Sequence, residues 1–196
     1  MRKTTSMKDP KLIALDIGNV CVSIHPERLT KKMGLISALF YSHKIFDREK
    51  MLERGEIYSQ EWLDDMMAFT KGKYSAEELR TAWDSIIGDP IPGMKEAMRR
   101  AVAKGYRFVF FSNTSAMHMQ TFLSRTELAG LVSGAIFSFD VSSMKPDPVI
   151  YEEFEKQYGI PGFYFDDNKD NIAAGKARGW NAILFHSSDQ LDQLLQ

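Results

Sequence analysis

The sequence predicts an open α/β fold, a doubly wound parallel sheet of Rossmann-like type with a helical cap subdomain inserted after its first strand. Three observations predict it. Short apolar runs of strand length recur along the chain, helix-like stretches separate the later runs, and the stretch 26–92 keeps helical periodicity with no convincing strand. Strands alternating with helices imply right-handed crossovers and therefore a parallel sheet.

The elements follow in order. Leu12-Ile13-Ala14-Leu15 is apolar without alternation, the pattern of a strand covered on both faces. Within 26–92, Leu29, Met33, Ile36 and Phe40 are spaced by four, three and four, which is one face of a helix. Trp62, Met66 and Phe69 repeat that spacing, as do Leu79, Trp83 and Ile86, and these stripes read as the packing of the cap. Ser75 and Glu78 form a capping box. Gly88-Asp89-Pro90-Ile91-Pro92-Gly93 is a rigid turn segment that ends the insertion. Further strands are expected at 106–111, 135–139, 163–165 and 182–185, and helices at 94–104, 116–127, 148–158 and 171–178. Gly105, Gly159 and Gly179 follow three of these helices, where a left-handed residue is wanted. The expected division is a core of 1–24 and 93–196 and a cap of 25–92, with hinges near 23–26 and 88–93.

Composition sets the bounds. The 196 residues carry 25 Lys+Arg and 26 Asp+Glu, a net charge of −1, with 44% apolar residues. That suits one domain with a modest insertion and lacks the basic signature of a nucleic-acid binder. Cys21 is the single cysteine, which excludes an internal disulfide and a cysteine-cluster zinc site. The basic Met1-Arg2-Lys3 start leads into polar residues, and the apolar run 12–24 is interrupted by Asp16, Gly18 and Asn19. That run is too short and too polar to span a bilayer. The expectation is a cytoplasmic protein with no membrane partner.

In open parallel sheets, functional groups collect at the carboxyl ends of the strands. Those ends carry Asp16-Ile17-Gly18-Asn19-Val20, Ser112-Asn113-Thr114 and Asp166-Asp167-Asn168, while Lys145-Pro146-Asp147-Pro148 precedes a helix. Carboxylates, a hydroxyl and a lysine would converge on one edge, and clustered carboxylates suit a hard cation such as Mg2+. Taken singly, each residue has a plainer reading: Asp16 as a turn residue, Ser112 and Asn113 as helix caps, Lys145 as a solvated loop lysine, and Asp166-Asp167-Asn168 as the cap of the next helix.

Together, in this order, the four segments resemble the motifs of the haloacid dehalogenase superfamily. The DxGNV and FDDNxxN forms are similar to a branch that includes sugar-phosphate phosphatases of the α-glucose-1-phosphatase type. The resemblance implies that Asp16 is a nucleophile forming an aspartyl-phosphate. It implies that Asp16, the Gly18 carbonyl and Asp167 hold Mg2+, that Ser112 and the Asn113 backbone N–H bind phosphate oxygens, and that Lys145 neutralises nucleophile and phosphoryl group. Asn171 sits where the family often has a further acid, and Asp166 and Asp170 are neighbours without an assigned role. The substrate class implied is a small phosphorylated metabolite such as a hexose or pentose phosphate.

One departure stands out. Most phosphatases of the superfamily carry a second Asp two residues after the nucleophile, to move the proton, and here that position is Gly18. His25, nine residues after Asp16, is one substitute; the alternative is a hinge histidine. His118 reads as a solvated helix residue and Cys21 as a small core residue. Two other functions stay open: a non-catalytic phosphate-binding module, and a metal-independent 2-haloacid dehalogenase.

Overall fold

The computed structural model describes residues 7–33 and 43–194. Of the first predicted cap stripe, Ile36 and Phe40 lie outside the described residues, as do Met1-Arg2-Lys3.

The central sheet has five parallel strands, β1 (Lys8–Leu15), β4 (Arg107–Ser112), β5 (Val132–Phe137), β6 (Ile160–Asp166) and β7 (Ala182–Leu184), in the order β5-β4-β1-β6-β7. The chain builds outward from β1 through β4 to β5, then crosses to β6 on the other side. This puts the switch point at β1, the place where such sheets open a crevice at their carboxyl edge. Both faces are covered. Ile13, Leu15, Phe108 and Phe110 pack against α5 (Met94–Ala103), α6 (Ala116–Arg125) and α10 (Asp189–Gln193). Leu12, Ala14, Val109 and Phe111 pack against α8 (Pro148–Tyr158) and α9 (Lys169–Ala177). Alternate residues of each strand therefore serve opposite layers, which is why the runs are continuously apolar.

The predicted left-handed glycines are found at φ 84°, 84° and 81° for Gly105, Gly159 and Gly179. The 135–139 prediction needs correction: β5 starts at Val132, and Ser138 and Phe139 belong to the short helix α7 (Ser138–Val141). The C-terminal segment docks through buried Leu191 and a two-pronged ion pair of Arg100 with Asp192.

Between β1 and α5 lie α1 (Glu27–Lys32), α2 (His43–Glu53), α3 (Ser59–Phe69) and α4 (Ala76–Asp84). They surround an apolar cluster of their own that includes Leu29, Met33, Trp62, Met66, Leu79 and Trp83. The capping box forms as predicted, with Glu78 N–H donating to Ser75 Oγ and Ser75 N–H to Glu78 Oε2. The region is not purely helical, however. Ile87–Pro90 forms β3, antiparallel to β2 (Val22–Ile24), so the two segments expected as hinges are paired with each other.

Candidate active site

Asp16 directly follows β1, Ser112 and Asp166 are the last residues of β4 and β6, and Lys145 lies in the loop before α8. The structure brings them together. Lys145 Nζ lies 3.0 Å from Asp16 Oδ1 and 2.6 Å from Asp166 Oδ2, and donates to the Phe111 carbonyl at 2.7 Å. The ammonium's three donors thus have three oxygen partners. Asn113 holds the lysine loop: its amide donates to the Lys145 carbonyl at 2.9 Å and its Oδ1 accepts from Lys145 N–H at 2.7 Å. Neither Ser112 nor Asn113 caps α6; Ser115 does, accepting from His118 N–H.

The electrostatics follow from burial. Burial alone would lower the Lys145 ammonium, but Asp16 and Asp166 more than offset it and keep the lysine charged well above the ordinary range. Burial raises the Asp16 carboxyl, Asp166 adds to the rise, and Lys145 and the Ser112 hydroxyl pull it back. Lys145 is thus not a solvated loop residue, being only 4% exposed.

The two neighbouring aspartates differ sharply. Asp166 is fully buried and its oxygens are filled: Oδ1 accepts from Asn168 N–H at 2.8 Å and Asn171 Nδ2 at 3.0 Å, and Oδ2 from Lys145 and from the Tyr164 hydroxyl at 2.5 Å. Asp167 is exposed and takes one hydrogen bond among the described residues, from Asn19 Nδ2 to Oδ2 at 2.9 Å. Carboxylate oxygens of Asp16, Asp166 and Asp167 all lie within 4.8 Å of one another. Because Asp166 is committed to Lys145, the ligand capacity of this cluster rests on Asp16 and Asp167. Asp170 is exposed on α9, with its N–H on the capping Asn168.

Gly18 lines the same cavity, and a Cβ there would lie 3.2 Å from Ile24 Cγ1. The space a side chain at 18 would need is thus partly taken by Ile24. Asn19 is left-handed at φ 53° and ties two loops together, donating to Asp167 and accepting Ile24 N–H at 3.0 Å.

The cavity beside Asp16 has a volume of about 430 Å³. Ile17, Gly18, Ser112 and Asn113 line its sheet side, and Glu49, Lys50 and Glu53 of α2 its helical side. Burial raises the carboxyl of Glu49 to about 7 and that of Glu53 to about 8, where Glu49 and Asp16 add repulsion. His25 is not among the lining residues; its ring contacts Ser23 Oγ at 3.0 Å and Glu27 Oε1 at 3.2 Å. His118 is a correction: it is buried, stacked on Trp83 with ring centroids 4.4 Å apart, and burial drops its pKa to about 4. Cys21 is a core residue as expected, its thiol pushed up by burial.

Glu49, Glu53 and Tyr164 were not singled out from sequence. For Tyr164 a signal existed, since it lies two residues before Asp166 on one face of a strand. For Glu49 and Glu53 the signal was their i, i+4 spacing on a helix, which by itself does not say what they face.

A parallel sheet with a lysine clamped between two buried carboxylates at its switch point defines an enzyme class that works with an acidic strand-end centre. The family model for haloacid dehalogenase-like hydrolases matches residues 10–179, and the chain belongs to that family. Among solved structures, a HAD family enzyme from Bacteroides thetaiotaomicron, in complex with magnesium and inorganic phosphate, superposes with a TM-score of 0.83 at 18% identity, over 95% of this chain and 99% of that one. A predicted HAD-like family hydrolase from Porphyromonas gingivalis gives 0.79 at 17% identity, over 95% and 98%. The L-2-haloacid dehalogenase from Xanthobacter autotrophicus gives 0.61 at 11% identity, over 93% and 81%. No curated protein matches in sequence. No described helix is long and apolar enough to cross a membrane.

Proposed function

We propose that this chain is a Mg2+-dependent phosphatase that hydrolyses a small phosphorylated metabolite through an aspartyl-phosphate on Asp16. The observation that carries the reading is the charge arrangement: one nucleophilic carboxylate paired with a permanently charged ammonium, beside a second, exposed carboxylate. Two acids, Asp16 and Asp166, share one lysine and Asp167 stands beside them without a cationic partner among the described residues; the cluster's donors are all hard oxygens, which fits Mg2+. Asp16, Asp167 and the Gly18 carbonyl would hold the ion; when bound it reduces repulsion between nucleophile and phosphate. The solved relative that holds magnesium and phosphate agrees with this reading.

Within the chain, Asp16 attacks phosphorus in line with the departing ester oxygen. Lys145 follows the charge as it moves from carboxylate to phosphoryl oxygens, and its clamp by Asp166 keeps it in place at no reorganisation cost. The Ser112 hydroxyl and Asn113 N–H bind phosphate oxygens. The helices within 25–92 act as the cap over the core of 1–24 and 93–196, excluding water. A cavity of about 430 Å³ suits a small metabolite such as a hexose or pentose phosphate rather than a protein or nucleic acid. A single buried, unpaired cysteine accords with a reducing cytoplasmic compartment.

The test is p-nitrophenyl phosphate hydrolysis with Mg2+, with EDTA and with Asp16→Asn. Mg2+-dependent turnover that disappears in the variant is the expected result. Chloride release from a 2-haloacid in EDTA would replace the reading with a dehalogenase. Phosphate-analogue binding without turnover would replace it with a binding module.

A further inference from the structure

Among the described residues, none of the groups considered from sequence supplies a free proton carrier at the site. Departure of an alkoxide requires a proton, and hydrolysis of the aspartyl-phosphate requires one to be taken from water. Gly18 has no side chain, Ile24 crowds its position, and His25 is engaged with Ser23 and Glu27. Lys145 is committed to Asp16 and Asp166, and His118 is turned to the Trp83 carbonyl. We infer that Glu53, projecting from the last turn of α2 into the cavity, is the general acid and base of the reaction. This rests on the phosphatase reading above.

The placement of Glu53 is built into the fold. Its carbonyl accepts a 2.6 Å hydrogen bond from Ser138 Oγ, and the same hydroxyl oxygen accepts Thr114 N–H at 2.9 Å. The end of α2 is thereby tied to the loop that carries Ser112 and Asn113. Two residues on, Gly55 is left-handed at φ 67°, and a Cβ there would run into the Phe139 carbonyl, so only glycine permits this approach of the helix to the core. On its other side α2 is held to α3 by the Arg48–Asp65 ion pair. Glu53 therefore meets the cavity from a fixed direction. Among the described residues, Glu49, Lys50 and His118 are the titratable groups that line the cavity with it, and Asp16 is close enough to repel its charged form. Burial raises the Glu53 carboxyl to about 8, with repulsion from Glu49 and Asp16 adding to the rise and Lys50 opposing it.

The proton balance closes. As Asp16 forms its bond to phosphorus and the ester P–O bond breaks, the leaving oxygen takes the Glu53 proton and departs as the alcohol. Glu53, now a carboxylate, takes a proton from water as the water oxygen attacks phosphorus. The bond from Asp16 to phosphorus breaks, inorganic phosphate leaves, and Glu53 is protonated again.

Substrates with different leaving groups provide the test, because nitrophenolate departs without acid help and an alkoxide does not. In Glu53→Gln, which preserves shape, kcat/KM for an alkyl phosphate should fall by about 10²–10⁴. For p-nitrophenyl phosphate it should fall by less than about tenfold, with a burst of nitrophenolate equal to the enzyme present, since water attack becomes slow. Glu53→Asp, which keeps a carboxyl, should narrow the gap between the two esters. An equal fall on both esters without a burst, or the split appearing in Glu49→Gln instead, would overturn the inference while leaving the phosphatase intact. A wild-type protein that hydrolyses neither ester would remove the phosphatase reading and this inference with it.

Discussion

Beside the sheet wall of the cavity, Asp16, Ser112, Lys145 and Asp166 each stand at a strand end or in the loop before a helix, and the side chains of Lys145 and Asp166 have partners at every polar atom. On the helical side, Glu49 and Glu53 ride on α2, half-buried, held by backbone and neighbouring contacts, with no hydrogen-bond partner of their carboxyls among the described residues. On the sheet side the two carboxylates hold Lys145 charged, whereas on the helical side burial raises the carboxyls of Glu49 and Glu53. Charge stabilisation needs a fixed, fully paired ion, whereas a proton carrier must change state within one turnover. Under the proposed reaction, the two walls supply those opposite requirements.

The largest expected effect breaks the sheet side. Lys145→Met leaves Asp16 and Asp166 facing each other in a buried site, and should cost about 3–5 kcal/mol in urea unfolding along with the loss of turnover. Retained stability would show that the clamp is not an ion pair in solution. Next comes the split between the adjacent aspartates. Asp167→Asn should raise the Mg2+ concentration for half-maximal activity by about 10–100-fold and leave the unfolding midpoint unchanged. Asp166→Asn should instead destabilise by about 1–3 kcal/mol, because it disturbs four donors at once. Similar behaviour of the two variants would erase the distinction between ligand and clamp.

How far each wall was legible in the sequence follows from the same physics. Asp16, Ser112, Lys145 and Asp167 could be placed because strand runs and the order of elements locate strand ends, and a parallel sheet sends those ends to one edge. Glu53 could not, since its position depends on how α2 docks, through Ser138 and Gly55, onto a distant part of the core. The clamp role of Asp166 was hidden for a similar reason: adjacency to Asp167 says nothing about which carboxylate points inward. Strand β3 was missed because Ile87–Pro90 is four residues long and holds both a glycine and a proline. The burial of His118 arises from Trp83 on another element, where no periodicity within α6 could show it.

The helical side can be sharpened by pH. Glu53 is raised from its ordinary 4.5 to about 8 in the folded protein, so the folded state binds its proton more tightly than the unfolded chain. Its contribution to stability is fully present below about pH 4.5 and is lost as pH rises to about 8. Glu49 acts in the same sense up to about 7. Glu53→Gln should therefore flatten the decline in unfolding midpoint across that window; an unchanged slope would mean the carboxyl is well solvated. The smallest expected effect is Ser75→Ala, which removes the capping box at the start of α4. It should cost about 1 kcal/mol and leave kcat unaltered, as a helix cap far from the cavity would.

The most direct test of the account joins the two walls in one measurement. Glu53→Gln is mixed with p-nitrophenyl phosphate and Mg2+, quenched in acid within a single turnover, digested and read by mass spectrometry. The account predicts a phosphoryl adduct on the peptide containing Asp16, abundant in the variant and scarce in the wild-type protein at the same time point. A nitrophenolate burst with no adduct on that peptide, or an adduct equally scarce in both proteins, would contradict it.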